Sequence, residues 1–183
     1  SCLMRIISSH IQKFVLLLML LLPSITRAAA VGDWTYHLAY QDATHCIPVG
    51  NAIYALYAGN LLIFDTEDSA VTTPTKLDGL NEKEIVLMRY CKEAKKVVLV
   101  YKNGNIDLLH TDGTIENLPQ FKNKFGGTSL NDLTISGTSA LLSTSEGIVH
   151  LNVKDAYITG HYNLNTPIKS ASLSKDLLYA ATD

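Results

Sequence analysis

Three glycines at nearly even intervals constrain this chain more than any other feature. Gly59, Gly104 and Gly147 stand 45 and 43 residues apart, each at the same place between two short apolar segments. The clearest copy is YKNGNIDLLHTDGTIENL, from Tyr101 to Leu118. Asn103-Gly104 and Asp112-Gly113 are the dipeptides that best tolerate positive φ at both central positions of a type I′ hairpin turn. Turns this close together leave room only for strands. The segments 97–101, 105–110 and 114–118, rich in Val, Ile, Leu and Tyr, read as such, with Pro119 arriving only at the end. The apolar segment 84–90, set off by the polar turn 91–96, supplies a fourth. Four antiparallel strands in series make one up-and-down sheet.

The same form recurs in YALYAGNLLIFDTEDSAV (54–71) and ALLSTSEGIVHLNVKDAYI (140–158), and a further copy starts at SASLSKDLLYAATD (170–183). A four-stranded unit of about 40–45 residues is the mark of a β-propeller blade. The expected fold class is therefore all-β: β-propeller blades of four-stranded antiparallel repeats, forming part of a propeller. An ordinary β-sandwich with evenly spaced strands is the alternative. The constant place of glycine within each repeat favours the propeller, because a sandwich does not require it. Alternation along 97–101 puts Val97, Leu99 and Tyr101 on one face and Val98 and Val100 on the other. Both faces are apolar, as suits a blade packed between two neighbours.

Before the first repeat, Arg5 and Lys13 form a basic region ahead of an apolar run of nine residues, Phe14 to Leu22, followed by Pro23 and the small residues Ala28, Ala29 and Ala30. This reads as a secretory signal peptide over 1–30, cleaved at Ala30. Nine apolar residues fall far short of the ~20 that a spanning helix needs. Met4 is a candidate start. Residues 31–183 hold about three and a half repeats, fewer than the roughly four to eight blades of a closed propeller. The expectation is the N-terminal part of a first propeller in a longer, exported protein.

The whole sequence carries 15 Lys and Arg against 17 Asp and Glu. Loss of Arg5, Lys13 and Arg27 with the leader leaves 12 against 17, an acidic balance that argues against nucleic-acid binding. The local exception is Lys92, Lys95 and Lys96 in one turn of the second repeat, with Lys102, Lys122 and Lys124 further on. These read either as a solvated turn guarding a sheet edge or as a patch for an anionic glycan or partner. Cys46 and Cys91 remain after processing, and an oxidising compartment leaves open whether they pair. No spacing among His37, His45, His110, His150 and His161 matches a metal or hydrolase motif. His45 and Cys46 are adjacent and point to opposite faces of a strand, so they cannot share a metal. The acidic DTED turn (65–68) lacks calcium-loop spacing. FGGTS (125–129) lacks the lysine and helix of a phosphate loop. The residues predict no catalytic group, no metal and no cofactor.

Two resemblances follow. KLDGLNEKEIVLMRY and KKVVLVYKNGNIDLL are similar to the repeats of two-component-regulator propellers, which would imply a periplasmic ligand sensor. A fuller match covers nearly the whole chain after the leader. WTYHLAYQDATHC, GNAIYALYAGNLLIFDTEDSAV, KLDGLN, VYKNGNIDLL, FKNK and LNDLTISGTSALLSTSEGIVHLNV together resemble the start of the PorZ family of the type IX secretion system of Bacteroidota. That resemblance implies two propellers and a C-terminal β-domain. It also implies a place at the cell surface with the sortase PorU and the outer-membrane proteins PorV and PorQ. The implied role is non-catalytic: delivery of anionic lipopolysaccharide to the sortase, which attaches it to secreted cargo. A carbohydrate-active propeller enzyme is a third possibility, which would need convergent carboxylates; none is recognisable from spacing.

Overall fold

Fourteen strands account for most of the described chain. A computed structural model describes residues 43–124, 130–175 and 177–182. The strands fall into three four-stranded antiparallel sheets and one hairpin, each in chain order. The first sheet is β1 (Ala43–Val49), β2 (Ala52–Tyr57), β3 (Asn60–Asp65) and β4 (Val71–Thr72). The second is β5 (Ile85–Cys91), β6 (Lys96–Tyr101), β7 (Ile106–His110) and β8 (Ile115–Leu118). The third is β9 (Leu130–Ser136), β10 (Ser139–Thr144), β11 (Gly147–Asn152) and β12 (Tyr157–Asn163), and the hairpin is β13 (Ser170–Ser174) with β14 (Leu177–Ala181). The first strands of successive sheets adjoin, β1 beside β5, β5 beside β9 and β9 beside β13. These are propeller blades, with strand boundaries within a residue or two of those expected for the second repeat. The leader over 1–30 with its cleavage at Ala30, the Trp34–Tyr40 opening and the FGGTS segment lie outside the described residues.

The core lies between blades, and strand alternation builds it. In β6, Val97, Leu99 and Tyr101 pack with Val49, Tyr54, Leu56, Leu61 and Met88 between the first and second blades. Val98 and Val100 point the other way, among Leu108, Leu133, Leu142 and Val149 between the second and third. All five β6 residues are fully buried. Two apolar faces on one strand are what sandwiching between neighbours demands. At ~1.5–3 kcal/mol per buried large aliphatic side chain, these interfaces dominate the favourable side of folding. Leu141, Ile148, Ile168 and Ala171 form the smaller core between the third blade and β13.

Gly59 and Gly104 lie between the second and third strands of their blades and Gly147 begins the third strand of its own, and their backbones differ. Ala58 (φ 48°) and Gly59 (φ 76°) both take positive φ in a two-residue turn. The Asn103-Gly104 and Asp112-Gly113 turns depart from the type I′ expectation: only the glycines have positive φ, 82° and 91°. Both are three-residue loops, closed by Gly104 N–H to Tyr101 O (2.8 Å) and Gly113 N–H to His110 O (3.0 Å). The reason is side-chain chemistry. Asn103 Oδ1 accepts from the Asn105 amide (3.0 Å) and Asp112 Oδ1 from the Thr114 amide (2.9 Å). An Asx turn holds its residue at negative φ and leaves the left-handed position to the following glycine. Gly147 is different again. It opens β11 at φ 156°, where an added Cβ would fall 1.9 Å from Tyr162 O.

Candidate functional site

Two motifs that carry the resemblance, KLDGLN and NGNID, meet in space. Asp107 of NGNID is fully buried in the second blade. Its carboxylate accepts from Tyr101 Oη (2.6 Å), Asn117 Nδ2 (2.8 Å), the Asn81 backbone amide (2.9 Å) and Asn81 Nδ2 (2.9 Å). Asn81 closes KLDGLN, so the connection from β4 to β5 is fastened onto the second blade by one aspartate. Burial and the acceptor Asp107 push the Tyr101 phenol far above its ordinary pKa, keeping it a donor. This hub is structural. A charged residue in the middle of an apolar strand was its visible signal.

The lysines of the 91–96 turn part company. Lys92 and Lys95 are exposed in the turn between β5 and β6. Lys96 does not join them at the surface: it is the first residue of β6 and 5% exposed. Its ammonium binds Glu116 Oε2 (2.6 Å) and the Lys154 carbonyl of the third blade (2.8 Å). A buried lysine needs such partners, and Lys96 serves as a pin between blades. The Lys96 hydrogen bond, with His110 also 2.8 Å away, holds Glu116 below the usual carboxylate pKa.

Lys92 and Lys95 instead edge a groove of about 460 Å³ between the first two blades. Its other walls include Tyr54, Tyr90, Asp65 and Thr111. Topology assembles it: the β1–β2, β3–β4, β5–β6 and β7–β8 turns all emerge at this end of the blades. Burial, and secondly the neighbouring Tyr90, raise the Tyr54 pKa, so the Tyr54 phenol is a neutral hydrogen-bonding group near neutral pH. Two ammoniums beside phenol and threonine hydroxyls suit an anionic polyol. The residues beyond the lysines carry no local sequence signal, because they come from four separate segments.

Charged groups also meet along the inner strands. Arg89 of β5 lies 3.5 Å from Asp132 of β9, which also accepts from Ser170 Oγ of β13 at 2.7 Å. These pairs link blades. His150 bonds Ser139 Oγ at 3.0 Å, and His161 stacks edge-on against Phe121 at 5.0 Å. Cys46 is exposed and Cys91 buried, both free thiols, and Cys91 donates to Gly137 O at 3.3 Å. Among the described residues no group of three or more His, Cys, Asp or Glu could hold a metal, and no helix is long and apolar enough to cross a membrane.

Comparison with known proteins bears on this geometry. The family described as the N-terminal β-propeller domain of PorZ of the type IX secretion system matches residues 53–183. Among solved structures, the fold is similar to that of PorZ of Porphyromonas gingivalis, described as an essential bacterial surface component of the type IX secretion system. That match has 25% identity and a TM-score of 0.68, covering 75% of this chain and 19% of that one. The extracellular domain assigned to a hybrid two-component system of B. thetaiotaomicron matches at 16% identity and TM-score 0.63, covering 76% and 19%. BamB of Moraxella catarrhalis matches at 17% and 0.52, covering 75% and 40%. The last two likenesses concern fold alone. No curated protein matches the sequence. The chain spans about a fifth of the length of the first two structural relatives. By a family match running from β2 of the first blade to the final hairpin, the chain belongs to the PorZ N-terminal β-propeller domain family.

Proposed function

We propose that this chain is the first-propeller portion of a non-catalytic, exported surface component of a type IX secretion system. It acts by binding: the whole protein delivers anionic lipopolysaccharide to a PorU-type sortase, alongside PorV and PorQ partners at the outer membrane. The family match over 53–183 is the observation that carries this reading. The groove edged by Lys92 and Lys95 supports it chemically, as an open, hydroxyl-lined cleft with two ammoniums. A rigid propeller with broad loop ends also suits holding several partners.

The test uses the full-length protein. Deleting its gene should leave cargo secreted but poorly attached to surface glycolipid, and pull-down from outer membranes should recover the sortase. Normal cargo anchoring, with loss of a transcriptional response to a glycan instead, sinks this reading. That outcome belongs to a sensor, whose extracellular domains share the fold.

A further inference from the structure

The opposite end of the first two blades carries a second surface, unlike the groove in chemistry. Here the β2–β3 and β6–β7 turns emerge with the connection from β4 to β5. A trough of about 450 Å³ runs between them, walled by Leu61, Pro74, Leu80 and Ile85. Beside it a basin of about 300 Å³ is lined by Lys76, Lys83 and Lys102 with Glu82 and Glu84. Lys122 also binds Glu82, which Lys76 approaches at 3.8 Å, and Lys102 lies 3.4 Å from Glu84. With Asp78 of the adjoining turn counted, four lysines against three carboxylates leave a positive surplus of one on a chain that is acidic overall.

Leu77 stands at the rim, 99% exposed. It is held out by local structure. Thr75 and Asp78 form a reciprocal capping box around the 3-10 turn Lys76–Asp78, and Gly79 ends it at φ 107°. The next connection is also fixed. Glu84 adopts φ 56°, a left-handed conformation that is strained in a non-glycine residue. Its carbonyl accepts from Lys102 N–H at 3.0 Å, while Ile85 N–H donates to Gly59 O at 2.9 Å. One strained residue thus ties both hairpin turns together and sets Lys83 and Lys102 around the trough.

We propose that this end of the first two blades docks an acidic, extended protein segment carrying an apolar anchor side chain. The lysines attract the carboxylates, the trough takes the anchor, and Leu77 closes over it. A concave trough favours a peptide over a bilayer, which presents a flat surface and would meet Leu77 alone.

The experiment measures fluorescence anisotropy of a fluorescein-labelled peptide of alternating Glu and Leu, titrated with the full-length protein. Saturable binding is expected, weakening at least about tenfold when salt is raised to roughly 0.5 M. Lys83→Glu with Lys102→Glu should weaken it at least tenfold, and Leu77→Ser several-fold. All three side chains are exposed, so circular dichroism should show the variants folded. Lys154→Glu, at an exposed lysine of the third blade, should leave peptide binding unchanged. No saturable binding, equal binding by the double variant, or binding to phosphatidylglycerol vesicles with none to the peptide overturns the proposal.

Discussion

Single residues set the sharpest limits on this fold. Gly147→Ala would drive a methyl into Tyr162 O, and backbone cannot yield cheaply. We expect a loss of at least about 2 kcal/mol in urea denaturation. Gly104→Val should cost at least about 1 kcal/mol, since a β-branched residue tolerates its φ of 82° poorly. Gly50→Ala is the control: its Cβ meets nothing within 4 Å, so only the φ of 59° is at issue and the loss should be smaller. Asp107→Ala removes the acceptor of the Tyr101 hydroxyl, of the Asn81 amide and of Asn81 Nδ2, while Asn117 Nδ2 keeps Asn105 Oδ1 and Ile106 O. A loss of about 3 kcal/mol or more is expected by the same measurement. Glu116 gives a pH prediction. Its folded pKa is depressed, chiefly by Lys96, so its contribution is present above the ordinary value of 4.5 and is lost as pH falls through the folded value. Glu116→Gln should therefore lower stability at neutral pH and flatten the acid limb of a stability–pH curve. An unchanged acid limb would count against the pairing.

At the scale of elements, each central strand serves two interfaces at once. β6 is the clearest case, with Leu99 facing the first blade and Val98 facing the third. Leu99→Ala and Leu142→Ala should each cost about 2–5 kcal/mol, because the sites are enclosed and collapse little. Their effects should add, since the two side chains belong to different cores. Strong non-additivity in a double variant would mean the blades are not independent layers. The Lys96 bond to the Lys154 carbonyl joins the second and third blades at their edges. Lys96→Met, which keeps the stem and drops the charge, separates that polar link from packing.

For the whole molecule, topology divides labour between two ends. Hairpin turns alternate ends along a meander, so the groove of Lys92, Lys95, Tyr54 and Tyr90 and the trough at Leu77, with the adjoining basin of Lys83 and Lys102, lie at opposite ends of the same two blades. Lys92→Glu with Lys95→Glu in the full-length protein should weaken binding of anionic lipopolysaccharide in a co-sedimentation assay without altering the thermal melting curve by more than about 2 °C. Undiminished binding would move the glycan site elsewhere in the protein.

The glycine interval near 44 residues, the apolar two-faced strands and the Asn-Gly and Asp-Gly dipeptides determined the blades by themselves. Turn chemistry and strand alternation act over a few residues, so they are legible in a string of letters. The fine form of the turns was not, because an Asx side chain chose between two hairpin loops that the same dipeptide permits. Tertiary structure alone decided the fate of the 91–96 lysines. Three neighbours in sequence look alike, but Lys96 meets Glu116 and a carbonyl from the third blade while Lys92 and Lys95 stay in water. It also decided that KLDGLN and NGNID share one buried aspartate. Contacts between segments 26 or 58 residues apart depend on how blades stack, and stacking is a property of the packed solid rather than of any local stretch of chain.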